Sequence, residues 1–451
     1  MEDVAAILER LKLLEQELAE AKAYIAELEA ELARRGKNYR PKSNRQPTKK
    51  SEDKRTKPHR RHPGQFRAVP QPPENEIIHH DVRPDQCQHC GGEQLTDSGQ
   101  YHDHLQVDIP EPKLEHHRFR HHEMRCEQCG KISQALGEGE LPGSHIGPRA
   151  RLLTCYARGY LGVSLGKTCE LFGELFGLEL SRAGALGHIA WGSRLFAPVV
   201  QELLQLLREA PVVHADETGW RINGKNVWAW CFCNPRIAVF LIDRHRSAEV
   251  LRHALGDSLP GVLVTDFYAA YNQIHAAKQK CLVHLLRELH ELREKLPQRC
   301  VTLHIQPMMT LFTDAIDLAQ WRAKISRHDF DLACDAIYGR FVACLDKQSG
   351  NADVNRVHKR LRKYADELFT FLEFADVPPD NNLGERDIRS VAAARSDGGV
   401  NRTDWGATAF ANIKSVIRTC QKNMRSWFDY GLDLMTARQQ ALPLPLPCPS
   451  D

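Results

Sequence analysis

Two short apolar segments that carry an aspartate constrain this fold more than any other feature of the sequence. The first, residues 212–217, contains Asp216, and the second, residues 261–266, ends at Asp266. Each has the length and the β-branched composition of a buried strand. We therefore expect the chemistry of this chain to lie where these two strands end.

The segments between them have the pattern of two more strands and a helix, at residues 226–233, 237–242 and 247–255. Asn223-Gly224, after the first strand, is typical of a tight hairpin turn. The predicted order is β-β-β-α-β, which is the arrangement of an RNase H-like core. In such a core, acids at the ends of adjacent strands converge on one edge of the sheet.

A third carboxylate is expected on a later helix, because two aspartates are too few to hold the two Mg²⁺ ions that phosphodiester cleavage uses. The best candidate is Glu385, in the segment of residues 378–386. Prolines end the preceding element there, Asp380 or Asn381 can cap a new helix, and Glu385 falls early in that helix. Other acids before Glu385 remain alternatives: Glu288, Glu291 and Glu294.

Glu217, next to Asp216, is the rival first ligand. Neighbouring side chains on a strand point to opposite faces, so Asp216 and Glu217 cannot both face one ion unless the strand kinks. We therefore expect Asp216 to face the site.

The 118 residues between Asp266 and Glu385 are more than an RNase H-like core needs. They are rich in Leu, Arg and Glu and have helical patterns. A helical insertion is predicted at about residues 285–375.

Four motifs together resemble the DDE transposases of the insertion-sequence-66 family: His214-Ala215-Asp216-Glu217-Thr218-Gly219-Trp220, Thr265-Asp266-x-Tyr268-x-x-Tyr271, Cys281-x-x-His284 and Asn381-Asn382-x-x-Glu385-Arg386. The resemblance extends over nearly the whole chain. It implies that Asp216, Asp266 and Glu385 hold two catalytic Mg²⁺ ions, or Mn²⁺ in their place. It also implies an accessory role beside the active site for Cys281 and His284. Gly384 departs from the family pattern, which more often has alanine there.

Basic residues recur after Glu385 without matching acids. Arg386 is predicted to contact a DNA phosphate, and Arg389 either contacts phosphate or pairs with Glu385 one turn earlier. The other members of this series are Arg395, Arg402, Lys414, Arg418, Lys422 and Arg425.

Two C-x-x-C pairs, Cys87/Cys90 and Cys126/Cys129, predict one structural Zn²⁺ site. Zn²⁺ prefers thiolates, and each pair can present two of them to one tetrahedral ion. The 35 residues between the pairs leave room for strands at 102–109 and 114–124.

The amino-terminal residues are predicted to self-associate. Apolar residues fill the a and d positions of four heptads, which favours a coiled coil over a helix packed on its own body. A proline-rich linker follows, with 14 basic and 2 acidic residues from Arg34 to Arg67 and a net charge of +12, against +3 for the whole chain. Such a segment suits a salt-sensitive contact with DNA, through Lys49, Lys50, Arg60 and Arg61.

Three helical runs, around residues 149–160, 167–176 and 182–195, resemble a helix-turn-helix at their last two members. Gly177 suits the end of one helix, and Ser181 suits the cap of the next. Arg182 then opens the candidate DNA-reading helix, although short helical hairpins are also common as plain structure.

The expected fold class is multi-domain, α+β and α/β. Its parts are a coiled coil (1–35), a basic linker (36–75), a zinc-binding module (76–135), a helix-turn-helix-like region (136–210), an RNase H-like catalytic domain (211–400), and a C-terminal helical region and tail (401–451). The absence of a run of eighteen apolar residues and an acidic start unlike a secretory signal predict a cytoplasmic protein, nucleoid-associated when bound to DNA, with no membrane partner.

The main functional hypothesis is a metal-dependent DNA transposase that cuts the ends of an insertion sequence and joins them to target DNA. It would act as a homo-oligomer, with other proteins of the same element as candidate partners. The alternatives are a DNA-binding regulator with an inactive RNase H-like domain and a structure-specific nuclease on the same core.

Overall fold

The computed structural model describes residues 72–397 and 400–449. The chain forms two compact units, Met1–Asp108 and Ile109–Asp451. The predicted coiled coil, nearly all of the basic linker, and the DNA-contact candidates Lys49, Lys50, Arg60 and Arg61 lie outside the described residues. In the part of the chain that is described, no helix is long and apolar enough to cross a bilayer.

The first unit is described from residue 72 onward and holds a 3-10 turn at Glu74–Glu76 and the turn at Cys87. In the second unit, a two-stranded ribbon precedes the main sheet, with β1 at Met124–Arg125 and β2 at Ile132–Ser133. The strands expected at 102–109 and 114–124 are wrong, since residues 102–123 are irregular and exposed. Their alternating pattern finds no apolar layer to pack against.

A five-stranded mixed sheet forms the centre of the second unit, in the order β5-β4-β3-β6-β7. The strands are β3 (Val212–Ile222), β4 (Lys225–Cys233), β5 (Ala238–Asp243), β6 (Ser258–Thr265) and β7 (His275–Lys280). β3, β4 and β5 are antiparallel, whereas β6 runs parallel to β3, and β7 runs parallel to β6. The predicted β-β-β-α-β order is confirmed, and β7 is an addition that sequence analysis missed.

Helices surround this sheet. In chain order they are α1 (Pro148–Gly159), α2 (Leu165–Phe176), α3 (Arg182–Glu209), α4 (Ala248–Leu255), α5 (Leu282–Lys295), α6 (Gln306–Trp321), α7 (Arg327–Asp346), α8 (Ala352–Lys363), α9 (Thr370–Glu373), α10 (Asn382–Asp397), α11 (Asp404–Lys422) and α12 (Trp427–Gln439). A π-helical turn, Val301–Ile305, leads into α6. The helical insertion between the second aspartate and Glu385 is therefore present, from α5 to α9.

The predicted caps of the helical hairpin are confirmed. Gly177 ends α2 in the left-handed region, with φ of 64°, which favours glycine. The Ser181 hydroxyl accepts a hydrogen bond from the Gly184 N–H at the start of α3. Arg182 is the first residue of α3 and is exposed.

The sheet buries both of its faces. On β4, Trp230 and Phe232 pack in one cluster with α3, α11 and α12, whereas the alternate residue Cys231 packs in another with α10. A third cluster joins the insertion helices to β6. Because α3 and the sheet share a core, the predicted boundary at residue 210 falls inside one hydrophobic core.

Candidate metal centre

Asp216 and Asp266 lie where the parallel pairing between two central strands ends. β3 and β6 pair from Val212 to His214, and Asp216 follows two residues later on β3. Asp266 comes directly after the last residue of β6. Their carboxylates are positioned locally, since Asp216 Oδ1 accepts the next backbone N–H at 2.9 Å and Asp266 Oδ1 accepts the Tyr268 N–H at 2.8 Å.

Glu385 lies in the first turn of α10, as predicted, and its backbone N–H donates to the Asn381 carbonyl oxygen at 2.9 Å. The Asp380 side chain accepts the Asn382 N–H at 2.9 Å. Glu385 Oε2 pairs with Arg389 at 2.8 Å, and Oε1 lies 3.7 Å from His284 Nδ1. Glu385 is thus held near the ends of the central strands by its own helix.

Electrostatic coupling shows that the three carboxylates face one another. Burial, Glu217, Asp266 and Glu385, in order of size, raise the pKa of Asp216 to about 7. Among the described residues, the carboxylates of Asp216, Asp266 and Glu385 do not form one group of ligand atoms within 4.8 Å. Like charges at this separation disfavour full ionisation, so a cation between them would stabilise the cluster.

Glu217 faces the other side of β3. Its buried carboxylate accepts hydrogen bonds from the Tyr271 hydroxyl and from Arg246 Nε, the latter at 3.0 Å. The Arg246 guanidinium is sandwiched between the rings of Trp228 and Tyr268, at 4.5 and 3.9 Å from the ring centroids. Glu217 therefore has its own partners, and sequence analysis missed Arg246.

A buried amide joins the helix of Glu385 to the strand of Asp216. His214 Nδ1 donates to Asn381 Oδ1 and Asn381 Nδ2 donates to the Ala215 carbonyl oxygen, both at 2.9 Å. The Asn381 N–H also donates to Cys281 Sγ at 3.3 Å. Burial lowers the pKa of His214, which suits a neutral ring. Residues from three of the four recognised motifs therefore form one cluster behind the carboxylates.

The same amide accounts for the glycine at position 384. A Cβ at Gly384 would lie 2.8 Å from Asn381 Oδ1, closer than such contacts allow. The glycine thus leaves space for the amide that connects α10 to β3.

Asn381→Ala is expected to lower the free energy of unfolding by about 1–3 kcal/mol, because it leaves the buried His214 Nδ1 and the Ala215 carbonyl without this partner. Denaturant titration measures the change. The exposed neighbour offers a matched control, Asn382→Ala, expected within about 0.5 kcal/mol of wild type. Equal effects of the two substitutions would contradict a structural role for the Asn381 side chain.

The basic residues after Glu385 have partners, contrary to the sequence-based expectation. Asp387, fully buried on α10, pairs with Arg418 at 2.8 Å and with Lys422 at 2.7 Å. Arg425 pairs with Asp433 at 3.0 Å, and Arg395 donates to the Gly219 carbonyl oxygen. These acids were missed because they lie on other helices or other turns.

Arg386, in contrast, is exposed beside Glu385. Arg389 takes the bland alternative in this structure, the pair with Glu385. The accessory pair is also close, since Cys281 is buried immediately before α5 and His284 lies in its first turn. Burial raises the pKa of the Cys281 thiol.

Each C-x-x-C pair forms the same tight turn within its own unit. The Gly91 N–H donates to the Cys87 carbonyl oxygen and the Gly130 N–H to that of Cys126, both at 2.8 Å. Gly91 and Gly130 have φ of 75° and 70°, a conformation that favours glycine.

Backbone N–H groups in these turns point at the first thiol of each pair. They lower the pKa of Cys87, chiefly through His89, and that of Cys126, chiefly through Cys129. Stabilised thiolates are the form that a metal ion binds.

The sheet and its carboxylates define an α/β protein with a candidate metal centre where two parallel strands and a later helix meet. The sequence model described as "Transposase IS66 family" matches residues 146–409. This chain therefore belongs to the IS66 transposase family.

Two curated proteins of Sinorhizobium fredii are similar to parts of the chain. The uncharacterized protein y4qI is 23% identical over 301 residues, which cover 59% of this chain and 55% of that protein. The uncharacterized protein y4jO is 29% identical over 103 residues, 23% of this chain and 32% of that protein. The chain thus matches about half of the first relative and a third of the second.

Proposed function

We propose that this chain is a DNA transposase whose five-stranded sheet is an RNase H-like catalytic core. It would cut at the ends of an insertion sequence and transfer the cut strand into target DNA. The observation that carries the proposal is the electrostatic coupling of Asp216, Asp266 and Glu385, which come from two strand ends and a distant helix. Membership in the IS66 family supports the same assignment.

The carboxylates fit a pair of hard divalent cations. Asp216, Asp266 and Glu385 offer oxygen ligands, which Mg²⁺ and Mn²⁺ prefer, and their mutual repulsion favours a cation. When bound, such ions would neutralise charge on the attacking and leaving oxygens of a phosphodiester. The spread of the three residues beyond 4.8 Å is consistent with two ions rather than one tight cage.

The remaining tasks fall to this chain's own side chains. Arg386, exposed next to Glu385, is positioned to contact a DNA phosphate and orient the strand. Asn381 would keep α10 in register with β3, and so would hold Glu385 opposite Asp216. Attack by water, and then by the liberated 3′-hydroxyl, requires no covalent intermediate with the protein.

The other parts would bind and assemble. We assign a structural Zn²⁺ to Cys87, Cys90, Cys126 and Cys129, because both turns favour thiolates. The basic linker and exposed Arg182 would contact DNA, and the amino-terminal heptads would join copies of the chain.

A labelled duplex carrying the ends of the element tests this function. Purified protein is expected to cleave it and join it to target DNA with Mg²⁺, and to do neither with EDTA. Cleavage without joining would favour the structure-specific nuclease instead. Binding without cleavage in Mg²⁺ or Mn²⁺ would contradict the proposal and favour the DNA-binding regulator.

A further inference from the structure

Three different metal-ligand side chains meet beside the carboxylates. The ligand atoms of Cys281, His284 and Glu385 all lie within 4.8 Å of one another. Cys281 immediately precedes α5, His284 lies one turn into it, and Glu385 comes from α10. The grouping therefore depends on the packing of two helices and not on the C-x-x-H spacing alone.

Two atoms of this group are buried without a hydrogen-bond partner among the residues that the structure describes. They are His284 Nδ1 and Glu385 Oε1, which lie 3.7 Å apart, too far for a direct hydrogen bond. The other carboxylate oxygen of Glu385 is already bound to Arg389. Buried polar atoms normally have a partner, so these two point to a missing one.

The dimensions suit a transition-metal ion. With ordinary Zn²⁺ bond lengths, two ligand atoms of a tetrahedral site lie about 3.4–3.6 Å apart. The 3.7 Å between His284 Nδ1 and Glu385 Oε1 needs little contraction to reach this value. The Cys281 sulfur accepts a backbone N–H from Asn381, the type of bond that stabilises a metal-bound thiolate.

A second group of similar size shows what a site of this kind must lack. Cys231, Cys233 and Asp387 also lie within 4.8 Å of one another. There, however, Arg418 and Lys422 already neutralise the carboxylate and would repel a cation. In the first group, the cationic partner of Glu385 is Arg389, whose side chain is 72% exposed, on the opposite oxygen.

We propose that Cys281, His284 and Glu385 form a binding site for Zn²⁺ or a similar thiophilic divalent ion, distinct from the Mg²⁺ carboxylates but sharing Glu385 with them. Thiolate and imidazole select Zn²⁺ over Mg²⁺. The His284 side chain is 36% exposed, which gives an ion a path to the buried sulfur. Three protein ligands leave one position of the ion open.

Co²⁺ binding by the full-length protein tests the site without any assay of transposition. Co²⁺ bound to a thiolate absorbs in the near ultraviolet, and equilibrium dialysis counts the ions per chain. Cys281→Ser is expected to bind one equivalent less than wild type and to lose the corresponding absorption, although the cysteine turns still bind their own ion. His284→Ala is expected to lose the same equivalent, and thermal unfolding of both variants shows whether they remain folded.

Cys169→Ser is the matched control, since Cys169 lies on α2 outside either group. It is expected to bind as many Co²⁺ ions as wild type. The same number of ions and the same absorption in wild type, folded Cys281→Ser and folded His284→Ala would overturn the proposal. His284 and Glu385 would then be an ion pair without metal.

The sharing of Glu385 has a consequence that rests on the proposed function. Zn²⁺ should inhibit Mg²⁺-dependent cleavage, and His284→Ala should weaken that inhibition at least tenfold. Co²⁺ binding that depends on Cys281, in a protein without cleavage activity, would support the site and contradict only the function. Cleavage with unaltered Zn²⁺ inhibition in His284→Ala would contradict the shared ligand.

Discussion

Asp216→Asn is expected to reduce strand cleavage by about a thousandfold or more while DNA binding stays close to wild type. Several kcal/mol of transition-state stabilisation depend on the bound ion, and about 1.4 kcal/mol corresponds to tenfold in rate. The substitution removes the charge but keeps an oxygen that can accept the neighbouring N–H, so the strand should remain intact. Single-turnover cleavage of a labelled element end measures the rate, and fluorescence anisotropy measures binding.

An exposed acid of the insertion provides the control for that experiment. Asp335→Asn, on α7, removes the same charge far from the sheet and is expected to cleave like wild type. Cleavage by Asp216→Asn at the rate of Asp335→Asn would remove Asp216 from the mechanism. Loss of DNA binding in Asp216→Asn would point instead to a damaged fold.

Asp387→Ala is expected to lower the free energy of unfolding by about 3–5 kcal/mol. Asp387 is fully buried and pairs with both Arg418 and Lys422, so its removal leaves two cationic side chains without their carboxylate. Breaking a buried pair from one side costs this much because the remaining charge is uncompensated. The pair also joins α10 to α11, so the position of Glu385 depends on it. Urea titration followed by tryptophan fluorescence measures the change.

The matched comparison is an exposed pair within a single helix. Arg327 and Asp331, at 2.9 Å on α7, are four residues apart and solvent-exposed. Asp331→Ala is expected to cost less than about 1 kcal/mol, as for other surface pairs. If the two substitutions shifted the unfolding midpoint equally, burial would not be what gives the Asp387 pairs their strength.

Much of the central sheet was predictable because the information is local. Strand alternation, the Asn223-Gly224 turn and the caps at Gly177 and Ser181 involve residues no more than a few positions apart, and all are present in the structure. The strands expected at 102–109 and 114–124 failed for a related reason. Alternation predicts a strand only where another apolar surface covers it.

The candidate ligands were named from motifs, but their surroundings were not. Asp387 adjoins a recognised motif and still appeared to lack the basic partners that follow it on α11. Asn381 was expected to act as a cap, whereas its side chain reaches His214, 167 residues earlier. No local pattern in the sequence could connect such positions.

The sequence by itself determined which residues form strands, which acids stand at strand ends, and to which family those motifs belong. The tertiary structure alone decided that α3 shares a core with the sheet, that β7 extends it, and that Glu385 lies between Arg389 and His284. The physical reason is range. Backbone periodicity and capping are set by neighbours within one or two turns, whereas buried ion pairs and ligand groups form only when distant segments pack together and must satisfy one another's charges and hydrogen bonds.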